Sequence, residues 1–253
     1  NKSWTFQAHP DRLQLFKQMG VDIVSLANNH VYDYGIEGFE DTLKYLDDAD
    51  IPRIGAGMNL GEAAEGYYFV VNGVKVGIVA ASCAEKVSFT PVATESTPGV
   101  MGTYNSAEFI KAIKKADSEC DVLVAYVHWG TENTTKLDEE QKTFAREYID
   151  AGVDAVIGGH THCLQGMEFY NGKPIIYSMS NFWFSNYLSE TGILTLRIDG
   201  EMNVQTLFMP LVQQNGEVRC YKTVEEKRAL YEKIESYEPQ GVSILDDGTV
   251  LPA

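Results

Sequence analysis

Two stretches of this chain repeat one connection, and the repeat constrains the fold more than any other feature. Met19-Gly20-Val21-Asp22-Ile23-Val24 and Ala151-Gly152-Val153-Asp154-Ala155-Val156 each join a helical segment to an apolar one. The glycine suits the left-handed step that closes a helix, and the short aliphatic run after it suits a buried strand. Both strands lead to a histidine flanked by glycine or asparagine. Asp121 to Val127 repeats the strand half and ends at His128. Helices between such strands predict a mostly parallel central sheet with right-handed crossovers. Ligands gather at the carboxyl ends of the strands in such sheets. Three strands therefore deliver histidines to the edge where a site is expected.

The remaining elements follow from spacing. Pro10 to Met19 predicts a helix stopped by Gly20, and Val21 to Ala27 a strand. Ile36, Phe39, Leu43 and Leu46 share one face of a helix over Ile36 to Ala49. Pro52 then breaks the chain before a short strand within Ile51 to Ile54. Tyr67–Val71 and Val74–Ala81 flank Asn72-Gly73, a strong hairpin signal. A helix is expected over Ser106 to Ala116, and another over Asp138 to Ala151 with Asp138 and Gln141 at capping-box spacing. Phe169 to Tyr177 forms a second hairpin around Asn171-Gly172. Ile193–Ile198 and Val204–Met209 read as strands, Val224 to Ser236 as a last helix, Asp246-Asp247-Gly248 as a turn and Ser88 to Gly102 as a long loop.

At 253 residues the chain can bury a substantial core, as one large α/β domain or two small ones. A net charge of −16 with no offsetting basic patch excludes nucleic acid as a partner and disfavours an anionic membrane surface. No apolar run reaches the length of a membrane span. Cys83, Cys120, Cys163 and Cys220 are scattered with no C-x-x-C pair, and are expected as free, mostly buried thiols.

Four of the five histidines, His30, His128, His160 and His162, lie just past a strand end. Any one alone is best read as a hydrogen-bonded structural residue. Four at one edge point to a metal or catalytic site. In Gly158-Gly159-His160-Thr161-His162 the glycines free the backbone, and two histidines one residue apart can serve neighbouring ions. Asn28-Asn29-His30-Val31-Tyr32-Asp33 adds one asparagine ligand and one turn-forming asparagine. It also adds a histidine whose tautomer Asp33 can hold, suited to general-acid work. Trp129, Phe182 and Trp183 either wall the pocket or pack in the core; Glu132 and Asn181 are candidates to face substrate. Cys163 is expected as a small buried residue and His9 as a surface one.

With these residues in hand, the chain resembles the CapA family of poly-γ-glutamate capsule synthesis proteins, a branch of the calcineurin-like metallophosphoesterase superfamily. The matching text is Asp22 to His30 (DIVSLANNH), Asp33-Tyr34-Gly35, Ile54 to Gly57, Val127 to Glu132 (VHWGTE), Gly159 to Gln165 (GHTHCLQ) and Ile176 to Phe182 (IYSMSNF). Thr161 and Cys163 stand where the family more often has proline and valine, and Ser180 where it has glycine. The resemblance covers residues 1–253 as one domain. It implies a four-layer α/β sandwich of the metallophosphoesterase type, with mixed sheets flanked by helices. It also implies two divalent ions, Mn, Zn or Fe. Asn29, His128 and His160 would bind the second ion and His162 the first, with His30 as proton donor oriented by Asp33.

The family's opening Gly-Asp strand and its next acidic ligand are not in this sequence. Asp11 and Asp22 are poorly placed to replace them. N-terminal strands that complete the sheet and the site are therefore expected from a missing segment, truncated or on a separate chain. Three histidines and one asparagine carry no bridging negative charge, so this chain is expected to hold at most one ion. The resemblance implies a metal-dependent hydrolase acting on a phosphoester or an anionic polymer. The other reading is a non-catalytic polymer-handling subunit of a capsule assembly with membrane proteins. Either would sit outside a bacterial cell, tethered to its surface.

Overall fold

The computed structural model describes residues 4–83, 89–103, 106–184 and 187–253. The chain divides into two compact units, Asn1–His128 and Trp129–Ala253.

In the first unit a 3-10 turn at Pro10–Arg12 leads into α1 (Leu13–Met19), which Gly20 closes with φ 74°. Next come β1 (Val24–Ser25), α2 (Gly35–Asp48), β2 (Arg53–Ile54), β3 (Ala56–Gly57) and the single-turn α3 (Leu60–Ala63). β1 and β2 pair in parallel, well short of the strand expected over Val21 to Ala27. Val24 N–H donates to the Pro52 carbonyl, but Pro52 has no N–H to return, so the ladder starts only at Arg53. α2 buries Phe39, Leu43 and Leu46 against Leu26, Ile51, Ala56 and Val100, while Ile36 is exposed rather than on that face.

β4 (Tyr67–Val71) and β5 (Val74–Ser82) form the expected hairpin. Asn72 and Gly73 both take positive φ, 51° and 87°, as a type I′ turn requires. β6 (Gly99–Val100) pairs with β3, so the segment expected as an unbroken loop carries a strand at its end; Ser88 lies outside the described residues. α4 (Ser106–Asp117) leads to β7 (Val122–His128), parallel to β5 in a register running from Val76↔Val122 to Ser82↔His128. β7 is buried along most of its length, and its last residue is the histidine.

In the second unit α5 (Glu139–Asp150) opens on the Asp138/Gln141 capping box. It is followed by β8 (Ala155–Gly159), β9 (Met167–Tyr170) and β10 (Lys173–Ile176). β10 runs parallel to β8 and antiparallel to β9 around Asn171-Gly172. A separate sheet has the order β11 (Ser189–Ile198), β12 (Val204–Gln214), β15 (Thr249–Pro252), β14 (Val242–Ile244), with β13 (Glu217–Cys220) also paired to β12. α6 (Val224–Ser236) packs Leu230, Tyr231 and Ile234 against Phe208, Val242, Ile244 and Val250. The turn at Asp246–Gly248 forms as expected, with Asp247 accepting Thr249 N–H.

The expected parallel pairing forms between β5 and β7 and between β8 and β10, with antiparallel strands added at the edges. Those two pairs each carry an antiparallel hairpin partner, because an Asn-Gly turn can only return the chain antiparallel, whereas the parallel pair β1–β2 stands alone. Cys83, Cys120 and Cys163 are half-buried and Cys220 is exposed, so the thiols are less buried than expected; none is in a disulfide. Among the described residues no helix is long and apolar enough to cross a membrane.

Candidate functional site

Two groups of side chains form at strand ends, one in each unit. In the first unit the chain leaves β1 through buried Leu26 and Ala27 and turns at once. Asn28 makes that turn: its Oδ1 accepts the His30 N–H at 2.8 Å. Asn28 is thus the turn asparagine, and the Asn29 side chain is turned elsewhere. Asn29 Oδ1 lies 3.0 Å from Nε2 of His128 at the end of β7. The Thr90 hydroxyl holds the Asn29 carbonyl at 2.8 Å.

His30 points to a different partner. Its Nδ1 lies 2.8 Å from Asp33 Oδ2, and the Asp33 side chain is only 1% exposed against 28% for His30. The same carboxylate oxygen accepts the Phe6 N–H at 2.8 Å. The Phe6 ring meets the His30 imidazole edge-on, centroids 4.5 Å apart. Nothing local in the sequence signalled Phe6 or Thr90, because both arrive from distant parts of the chain. His9 is a surface residue, with a side chain 74% exposed.

In the second unit Gly158 has no room for a side chain. A Cβ there would lie 2.0 Å from the Tyr177 carbonyl oxygen and 2.4 Å from Trp129 Nε1. Trp129 is a core residue, buried and donating its indole N–H to the Tyr177 carbonyl. His160 and His162 both take positive φ, 96° and 60°, unusual for residues with a Cβ. Buried Thr161 holds the loop from inside, through the Cys163 carbonyl and the Ser178 hydroxyl at 2.8 Å each. The two imidazoles have centroids 6.2 Å apart. His162 Nδ1 lies 2.8 Å from Asn181 Oδ1 and its Nε2 3.9 Å from Glu132 Oε1.

Phe184 lies against the His162 ring, centroids 5.2 Å apart, a neighbour that sequence reading did not single out. Phe182 and Trp183 are exposed, and the Trp183 indole N–H donates to the Gly216 carbonyl. The half-buried Cys163 donates its thiol to the Thr134 carbonyl, and burial pushes its pKa up, as befits a structural thiol. Gln165, fully buried, donates to the carbonyls of Thr134 and Lys136 and accepts from Gln141. That amide ties the loop carrying Glu132 to the one carrying His162.

The donor chemistry suits a divalent ion. Asn29 Oδ1 and His128 Nε2 form an oxygen-nitrogen edge, and His162 has one ring nitrogen anchored by an amide, the usual support for a ligating imidazole. Among the described residues, no three of His, Cys, Asp or Glu form a group that could hold a metal.

The fold is of the metallophosphoesterase type. It matches the putative 5'-nucleotidase of Staphylococcus aureus, solved in complex with alpha-ketoglutarate, with TM-score 0.52 and 17% identity over 90% of this chain and 47% of that one. It also matches the NAD nucleotidase NadN of Haemophilus influenzae, with TM-score 0.54 and 17% identity over 90% of this chain and 49% of that one. At that identity the likeness shows fold alone.

Sequence carries the assignment further. The chain belongs to the bacterial capsule synthesis protein PGA_cap family, whose model matches residues 1–186. It is 33% identical over 192 residues to the PGA biosynthesis protein CapA of Bacillus subtilis, covering 76% of this chain and 50% of that protein. It is 29% identical over 241 residues to the capsule biosynthesis protein CapA of Bacillus anthracis, covering 92% of this chain and 58% of that protein. The chain thus spans about half the length of the relatives it matches.

Proposed function

We propose that this chain is a metal-dependent hydrolase module of a capsule-synthesis protein at the bacterial cell surface. In this reading Asn29, His128, His160 and His162 are metal-ligating residues for Mn, Zn or Fe, and His30 donates the proton to the leaving group. The observation that carries the reading is the division of labour between adjacent residues. Asn29 turns its amide to His128, while His30 is paired with a buried carboxylate that also takes the Phe6 N–H. An imidazole held that way keeps one tautomer and one orientation, as a general acid requires.

The chemistry such an ion supplies is polarisation of a phosphoryl or carbonyl oxygen and a lowered pKa for water. The residues do the rest: Asp33 fixes His30, and Thr90 and Asn28 both hold the peptide group that joins Asn29 to His30. A phosphoester suits the fold. The poly-γ-glutamate named for the family suits its place in capsule synthesis, in contact with membrane proteins of that machinery. The second reading is a non-catalytic polymer-handling subunit, and the neutrality of the four donors favours it.

Turnover of a chromogenic phosphodiester and of poly-γ-glutamate, measured with added Mn or Zn on the wild type, His30→Ala and His160→Ala, separates the two. The hydrolase reading expects turnover that falls in both variants, with metal lost only in His160→Ala. Bound metal without turnover on either substrate contradicts catalysis.

A further inference from the structure

Phe6 reaches the His30–Asp33 turn from 27 residues before Asp33 and makes two contacts there. Its N–H donates to Asp33 Oδ2 at 2.8 Å, the same oxygen that lies 2.8 Å from His30 Nδ1. Its ring meets the imidazole edge-on, with centroids 4.5 Å apart and planes at 83°. Burial does not account for this placement. Phe6 is 45% exposed, and Trp4, two residues earlier, is 76% exposed. Residues 4–9 form no helix or strand, and neither the 3-10 turn nor α1 that follow them buries a residue. Ordering such a segment costs conformational entropy, and here it secures Asp33 and His30 rather than the core.

The turn alone leaves the two side chains loose. It is closed by the Asp33 N–H donating to the His30 carbonyl at 3.2 Å, a backbone bond that fixes neither side chain. A single hydrogen bond to Nδ1 sets a direction but lets the imidazole rotate about it. The Phe6 N–H pins the carboxylate oxygen, and the edge-to-face contact, a favoured geometry for aromatic rings, sets the imidazole plane. As a carboxylate Asp33 only accepts, so Nδ1 carries the proton. Nε2 is then the nitrogen that passes a proton to a leaving group.

We infer that Phe6 is a positioning residue of this site: its N–H holds Asp33 and its ring holds the plane of His30, so that the pair presents one nitrogen in one direction. The inference rests on the proposed role of His30 as proton donor.

Long-range ¹H–¹⁵N spectra of the histidine rings and steady-state turnover of the chromogenic phosphodiester test it on the whole chain. The wild type is expected to show a single Nδ1–H tautomer of His30. Phe6→Ala keeps the N–H but removes the ring. It should replace that tautomer by a mixture and lower kcat about 10–10²-fold, with KM changed less than about twofold, as a small misplacement of a reacting group does. Phe6→Tyr restores a ring edge and should recover most of the loss. Phe6→Pro, which has no N–H to give Asp33, should also lose the single tautomer. Phe6→Ala with the wild-type His30 spectrum and kcat would overturn the inference and leave the proton-donor reading standing. An Nε2–H tautomer in the wild type would overturn it as well. Turnover that His30→Ala leaves unchanged, or no turnover at all, would overturn the proton-donor reading itself.

Discussion

Asn28, Asn29 and His30 are consecutive, yet their side chains do three separate jobs: one makes a turn, one meets His128 and one meets Asp33. That separation gives a sharp prediction for Asp33→Asn. The amide oxygen can still accept the Phe6 N–H, but the charge that orients and supports a protonated His30 is gone. Activity is expected to fall about 10²–10⁴-fold, the usual worth of a positioned general acid, with metal content unchanged by elemental analysis. Gly158 makes the opposite kind of demand. Its added Cβ would meet the Tyr177 backbone at 2.0 Å, and backbone cannot step aside as a flexible side chain can. Gly158→Ala is expected to cost about 1–3 kcal/mol or more in urea unfolding, as overpacking of a tight core does. At this scale the sequence singled out candidate residues but not how they pair. Asn28 and Asn29 are interchangeable in a sequence; only the geometry of the turn after β1 assigns one to the backbone and one to His128.

Among the elements, α6 is fastened by charge as well as by its apolar face. Glu235 accepts the Ile244 N–H and the Arg228 guanidinium, both at 2.6 Å. Burial alone would raise its carboxyl pKa, but those two donors outweigh it and hold it below the ordinary value of 4.5. The folded state therefore favours the carboxylate. The stability this adds is fully present above the unfolded pKa and is lost as pH falls through the lower folded one. The urea midpoint of the wild type should drop as pH is lowered from about 5 toward 3, and part of that drop should vanish in Glu235→Gln. At neutral pH the variant should be less stable by about 1–3 kcal/mol, the scale of a lost charge-assisted hydrogen bond. At the other end of the helix, Thr223 accepts the Glu226 N–H within a capping box, and Thr223→Ala should cost about 1 kcal/mol.

The elements most legible in the sequence were those with their own local chemistry: the hairpins at Asn72-Gly73 and Asn171-Gly172, the capped α5 and the amphipathic α2. The least legible were those defined by a partner. β14 and β15 are three and four residues long, too short to show a period, although the turn between them was visible. β11 begins at Ser189 because Gln213 and its neighbours pair with it, not because Ser189-Glu190-Thr191-Gly192 reads as a strand. β1 shrinks for the converse reason, since Pro52 denies it a longer ladder.

Over the whole molecule, charge sets the terms for any anionic substrate. At −16, the chain repels a polyglutamate on long-range grounds. If such a polymer is its ligand, binding should require a divalent ion and disappear on chelation with EDTA, a dependence that fluorescence anisotropy of a labelled poly-γ-glutamate would read. Fold and family need no metal; the proposed chemistry does. The most direct measurement is therefore metal content after equilibrium dialysis against Mn²⁺ or Zn²⁺. One bound ion per wild-type chain and none in His160→Ala is the predicted result. No ion in the wild type with either metal in excess would contradict it.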